Sequence, residues 1–98
     1  LLLSPGAVQI YYGDESGRKF GATGSDPIQG TRSDMNWQDL QQSPSHQALL
    51  SHWTTLAKFR QNHQAIGQGA QKILETERYF AFSRQSAQDK VMVVWAGE

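Results

Sequence analysis

Ninety-eight residues suffice for one small domain with a modest core. Nine basic residues balance nine acidic ones, so the chain lacks the clustered Lys and Arg that nucleic acid or an anionic membrane surface requires. It has no cysteine, which excludes disulfides and thiolate metal sites, and no stretch approaches the roughly 18 apolar residues of a membrane span. The opening Leu1-Leu2-Leu3 has no basic residue before it and breaks at Ser4-Pro5-Gly6. It therefore reads as the end of a buried element closed by a turn, not as a leader peptide. The chain starts without Met in an apolar run and stops at Gly97-Glu98 directly after a strand-like stretch, so a piece of a longer protein is expected. Ala7-Val8-Gln9-Ile10-Tyr11-Tyr12 joins β-branched and aromatic residues and ends at Gly13, which predicts a strand over 7–12. Its near-continuous apolar character suits a strand covered on both faces, as in a parallel sheet or a barrel.

From Ser16 to Ser45 no hydrophobic period is present, and Gly, Ser, Asp, Thr and Pro dominate. This predicts a long loop to which Met35 and Trp37 give something to pack; loops of this length are commonly functional or disordered. Ser43-Pro44-Ser45 then signals a helix start with a serine cap. Leu49, Trp53, Leu56 and Arg60 follow helical spacing, flanked by Leu50 and Ala57, and predict a helix over 46–62 with one apolar stripe. Gly67 and Gly69 stop it. Strands are expected over 71–75, 78–84 and 90–96, the last two flanking a loop at 85–89 that suits an antiparallel hairpin. The order is strand, long loop, amphipathic helix and antiparallel meander, an α+β fold.

Asp14 and Glu15 form a tempting acid pair at the end of the first predicted strand. Adjacent residues in extended chain point to opposite faces, whereas a retaining glycosidase holds its two carboxylates about 5–5.5 Å apart across one bond. One of the two can line a substrate face, or both can be solvated or paired with Arg18 or Lys19. Arg32, Asp34, Asn36 and Trp37 make a polar–aromatic cluster in the loop. Arg is a multidentate donor to hydroxyls or carboxylates and Trp offers a stacking face; the alternative is a loop pinned by Trp37 and an Arg–Asp bridge. His46, His52 and His63 lack the i, i+4 spacing of a helical ligand pair and read as helix-surface residues. Gly67-Gln68-Gly69 is a helix stop without the third glycine of a dinucleotide loop. No serine lies in a nucleophile elbow.

The string Pro5-Gly6-Ala7-Val8-Gln9-Ile10-Tyr11-Tyr12-Gly13-Asp14-Glu15 resembles a segment of glycoside hydrolase family 13, the α-amylase relatives. In that family a Gly-x-Pro-x-Ile-Tyr-Tyr-Gly-Asp-Glu-like segment forms the last strand of the catalytic barrel; here the proline precedes the glycine and Gln9 replaces an apolar residue. Thr31-Arg32-Ser33-Asp34-Met35-Asn36-Trp37 resembles the family's Arg-Thr-Pro-Met-Gln-Trp loop, with Arg32, Met35 and Trp37 in agreement. Leu49 to Gly69 resembles the family's last barrel helix, and Tyr79 to Ala96 its C-terminal β domain. The segments keep the family's order over nearly the whole chain, and Gly-Asp-Glu-Ser-Gly-Arg with Ser-Asp-Met-Asn-Trp-Gln looks most like bacterial periplasmic members that act on maltodextrins.

The resemblance implies a division at 66/67. Residues 1–66 would end a (β/α)8 TIM barrel, with strand 7–12, an active-site-side loop 13–45 and helix 46–62. Residues 67–98 would begin an antiparallel meander of a C-terminal β-sandwich domain. The parent would hydrolyse α-1,4-glucosidic bonds of starch or maltodextrins with retention, in the bacterial periplasm or after secretion. The family's catalytic carboxylates lie upstream and match no position here, so the resemblance implies no catalytic residue, no metal ligand and no activity for 1–98 alone. Substrate-side candidates are Arg32, Asp34, Trp37, Asp14 and Glu15. No cofactor is expected; calcium, if the parent uses it, would be bound elsewhere. Expected partners are the glucan, the remainder of the barrel and, through exposed strand edges, a second copy; nucleic acid and membrane are not. Rival readings are a related α-glucosidase or glucosyl transferase, and a non-catalytic carbohydrate-binding or interaction module.

Overall fold

Gly69 marks the point at which the chain changes from helix to sheet. The computed structural model describes residues 1–19, 33–75 and 77–97. Among these, the elements in order are α1 (Trp37–Gln42), α2 (Pro44–Asn62), α3 (Gln64–Gln68), β1 (Ala70–Leu74), β2 (Phe80–Gln85) and β3 (Lys90–Trp95). The α+β class holds. The chain divides into two compact units, one of Leu1–Gln9 with Thr55–Glu98 and the other of Ile10–Thr54.

The sheet is the predicted antiparallel meander, in the order β1-β2-β3. Ile73 faces Phe82, which faces Val93, and Phe80 faces Trp95 across the second pair. The hairpin closes over residues 86–89, with the Ser86 amide donating to the Asp89 carbonyl at 2.9 Å. Ala65 and Ile66 of α3 form the core with Val91, and Leu3 and Val93 pack against it. Buried Arg84 bridges helix and sheet: its Nε donates to the carbonyls of Ala65 (3.3 Å) and Ile66 (3.1 Å) and its Nη1 to Gln71 Oε1 (3.3 Å). Arg84 thus supplies a donor to the Ile66 carbonyl at the helix end and a second one to the Ala65 carbonyl. Gly69 ends α3 in extended conformation, its amide bonded to the Ala65 carbonyl at 2.9 Å. A Cβ there would lie 2.5 Å from that oxygen and 2.9 Å from the Gln85 backbone, so the close passage of helix end and strand requires glycine.

Arg60, in the last turn of α2, gathers the N-terminal turn. Its Nη1 donates to the carbonyls of Leu2 (3.0 Å) and Ser4 (2.6 Å), and its Nη2 to that of Gly6. The Gly6 amide adds a bond to the Gly67 carbonyl at 3.2 Å. α2 stops at His63, whose backbone is extended, and α3 resumes for one turn. Gly67 is therefore inside a helix and Gly69 alone does the stopping. On α2, the half-buried positions include Leu49, Leu50, Trp53, Leu56 and Arg60, the stripe that the spacing predicts, while Ala57 is exposed.

Three expectations are corrected. Residues 7–12 form no strand: residues 7–11 carry no ladder and a turn begins at Tyr12. A strand exists only as one side of a hydrogen-bonded pair, and these residues find no neighbour among the described ones. Residues 13–45 are not one loop, because α1 occupies Trp37–Gln42; Trp-Gln-Asp-Leu is too short for a hydrophobic period to reveal a helix. The helix expected over 46–62 begins two residues earlier, at Pro44, a first-turn position where the missing N–H costs no hydrogen bond.

Candidate functional site

The candidate residues outside Arg32 belong to the unit Ile10–Thr54. Asp14 and Glu15 lie in the turn that follows Tyr12, and their carboxylates serve that turn. Asp14 Oδ2 accepts from the Tyr11 amide at 3.2 Å and Glu15 Oε2 from the Gly13 amide at 3.1 Å. The Asp14 amide returns a bond to the Tyr11 carbonyl at 3.0 Å and the Arg18 amide to the Gly13 carbonyl at 2.9 Å. Gly13 takes a positive φ of 98°, and a Cβ there would collide with the Arg18 side chain. Only glycine combines that backbone with that closeness.

Three contacts tie this turn to the segment before α1. Arg18 donates from Nε (3.2 Å) and Nη2 (3.1 Å) to the Tyr12 carbonyl, and from Nη1 to Ser33 Oγ. Its guanidinium also stands 4.1 Å from the centre of the Tyr12 ring and 5.6 Å from that of Tyr11, a cation–π arrangement. Tyr12 donates its hydroxyl to the Ser33 carbonyl at 2.9 Å. Ser16, fully buried, donates its hydroxyl to Asn36 Oδ1 at 2.6 Å, and Asn36 Nδ2 donates back to the Ser16 carbonyl at 2.8 Å. Asn36 also reaches Asp39 Oδ2 at 3.1 Å. Asp39 lies 3.6 Å from His46 Nε2, and His46 Nδ1 is 2.7 Å from Ser43 Oγ. Gln47 donates to the carbonyls of Leu40 (3.0 Å) and Gln41 (3.2 Å), joining the end of α1 to the first turn of α2.

On this base, Trp37 opens α1 with 65% of its surface exposed, and Asp34 is exposed three residues earlier. Tyr11 and Tyr12 are exposed as well, with ring centres 4.8 Å apart. Of the candidates from sequence, Arg32 lies outside the described residues; Asp34 and Trp37 share one ordered segment; Asp14 and Glu15 are turn-forming and do not converge on a common point. Sequence reasoning missed Ser16, Arg18 and Ser33, whose pairing spans 15 to 20 residues and leaves no local signal; the Tyr-Tyr-Gly turn beside an arginine was the one available hint. His46 and His63 are more than surface residues: each meets an aspartate, His63 Nδ1 lying 3.1 Å from Asp89. Among the described residues, no group of three or more His, Asp or Glu side chains is placed to hold a metal ion.

No protein-family model matches the chain. A periplasmic α-amylase of Escherichia coli (strain K12) is 57% identical over 98 residues, which is 100% of this chain and 14% of that protein. A cyclomaltodextrinase of a Bacillus species is 35% identical over 88 residues, 87% of this chain and 14% of that protein. The chain thus spans 14% of the length of each relative. Along its whole length, the chain is a relative of a segment of the periplasmic α-amylase, a glycoside hydrolase family 13 enzyme.

Proposed function

We propose that this chain is the substrate-side end of the catalytic barrel of an α-amylase-type enzyme, followed by the first strands of its C-terminal β-sandwich domain. The observation that carries this reading is the 57% identity along all 98 residues to a periplasmic α-amylase. The parent hydrolyses α-1,4-glucosidic bonds of starch or maltodextrins with retention, in the periplasm or outside the cell. Among the described residues no helix is long and apolar enough to cross a membrane, and that location rests on the relative's name.

Within that enzyme the segment binds and orients sugar; it does not break bonds. Asp34 accepts hydrogen bonds from sugar hydroxyls, Arg32 donates to them, and the exposed face of Trp37 stacks on a pyranose ring. Asp14 and Glu15 contribute by shaping the turn that carries this loop. Calcium, where the parent uses it, is bound elsewhere in the chain.

Residues 1–98 alone are expected to release no reducing sugar from maltodextrin; detectable cleavage by the purified chain would sink the assignment. In the longer protein, Arg32→Ala is expected to lower kcat/KM on maltodextrins about tenfold or more, since one lost charge-assisted hydrogen bond is worth roughly 1.5–3 kcal/mol. Weak maltodextrin binding by the isolated chain, lost in Trp37→Ala, would instead favour a stand-alone carbohydrate-binding module, whose observation is the exposure of Trp37.

A further inference from the structure

Resting on the reading above, we propose that Arg18 is the positioning residue that holds the substrate-side segment in place. Chain segments 12–18 and 33–39 are distant in sequence, and among the described residues three polar connections join them, one of them the Tyr12 hydroxyl donating to the Ser33 carbonyl at 2.9 Å. A second is buried Ser16 with Asn36, a reciprocal pair of hydrogen bonds. The third runs through Arg18, whose guanidinium grips the Tyr12 carbonyl with two nitrogens and Ser33 Oγ with the remaining one. Ser33 is the residue directly after Arg32 and directly before Asp34, and Trp37 follows within one turn of chain. Whatever fixes Ser33 therefore sets the starting point of the residues that face sugar.

The chemistry of the guanidinium suits this task and that of lysine does not. Three donors in one plane can serve a carbonyl and a hydroxyl at once, while the flat face covers the Tyr12 ring at 4.1 Å. An ammonium group can replace the charge and one bond but not the fork. Gly13 completes the arrangement: any side chain there would occupy the volume that Arg18 fills. In this assignment Arg18 acts through Ser33 and not on substrate, each of its three nitrogens donating to a protein oxygen.

Two measurements test the proposal. In the isolated chain, Arg18→Ala is expected to speed amide exchange about tenfold at Ser16, Arg18 and Leu40, because loss of charge-assisted bonds eases local opening. Exchange in β2 and β3 should stay unchanged, and Arg18→Lys should fall between. In the longer protein, Arg18→Ala is expected to raise KM for maltodextrins about tenfold while kcat stays within about twofold, with partial recovery in Arg18→Lys. Unchanged exchange at the three amides overturns the clamp. Faster exchange with unchanged KM overturns the positioning role, as does a fall in kcat at unchanged KM. If Arg18→Ala also loosens the sheet, the lysine variant decides by the same criteria. A wild-type protein that neither binds nor cleaves maltodextrin overturns the proposed function and Arg18's substrate role together, while the exchange result still decides the clamp.

Discussion

Asp89 reads in the sequence as one polar residue of a hairpin turn, yet its carboxylate accepts from the Ala65 amide at 3.1 Å and lies 3.1 Å from His63 Nδ1. The hydrogen bond from His63, then that from Ala65, holds its pKa below the ordinary carboxylate value. A carboxyl with a depressed folded pKa stabilises the fold fully above its unfolded pKa, and that contribution fades as pH falls through the folded value. Asp89→Asn is therefore expected to be less stable than wild type at neutral pH by denaturant unfolding. The gap should stay constant above about pH 5 and close below about pH 4, where the wild-type carboxyl takes up its proton. A gap that widened in acid would contradict this assignment. The signal missing from the sequence was distance: Asp89 and Ala65 are 24 residues apart, and no local pattern announces the pairing.

At the scale of elements, legibility followed the strength of each period. The meander was readable because Phe80-Ala81-Phe82 and Val91-Met92-Val93-Val94 favour strands and the polar residues 86–89 separate them. The long helix was readable from its apolar stripe. α1 was not, since six residues give less than two turns of pattern. The strand expected over 7–12 failed for a different reason: its composition suits a buried strand, but composition cannot supply the neighbouring strands that make one. The candidate site was half legible, since Asp34, Asn36 and Trp37 were singled out while the Ser16 and Arg18 contacts that organise them were not. How α3 meets the sheet also exceeded the sequence. Ile66 is fully buried beside Val91, and Arg84 is buried with its donors on two α3 carbonyls. Ile66→Ala is expected to cost about 3 kcal/mol as a core truncation that leaves a cavity. Arg84→Ala should cost about 2–3 kcal/mol, because two helix carbonyls lose a charged donor. Arg84→Lys should restore only part of this, since one ammonium cannot reproduce the fork. Equal stability of Arg84→Ala and wild type in urea would show that water replaces the guanidinium without cost.

For the whole molecule, the question is what covers the apolar surface that this chain leaves open. β1 and β3 flank the described sheet, each paired on one side only. Ile73, Phe80, Met92, Val94 and Trp95 are all exposed, Trp95 by 68%. The register puts Ile73, Phe80 and Trp95 on one face and Met92 and Val94 on the other, because paired residues share a face and successive ones alternate. A strand edge with apolar residues on both faces is a template for further pairing, and natural sheets guard such edges with charge or cover. Lys90 is the one charged residue of β3 and stands at its start, leaving Val91 to Trp95 unguarded. In the longer parent we propose that the rest of the β domain supplies this cover; in the isolated chain a second copy can. The isolated chain is therefore expected to associate as its concentration rises, measured by light scattering. Met92→Lys and Val94→Lys, both exposed and on the face of the edge strand opposite Val91, should shift it toward monomer without loosening the core that Val91 forms with α3. A chain that stays monomeric at the highest attainable concentration would show that Lys90 and the twist of a three-stranded sheet suffice to blunt the edge.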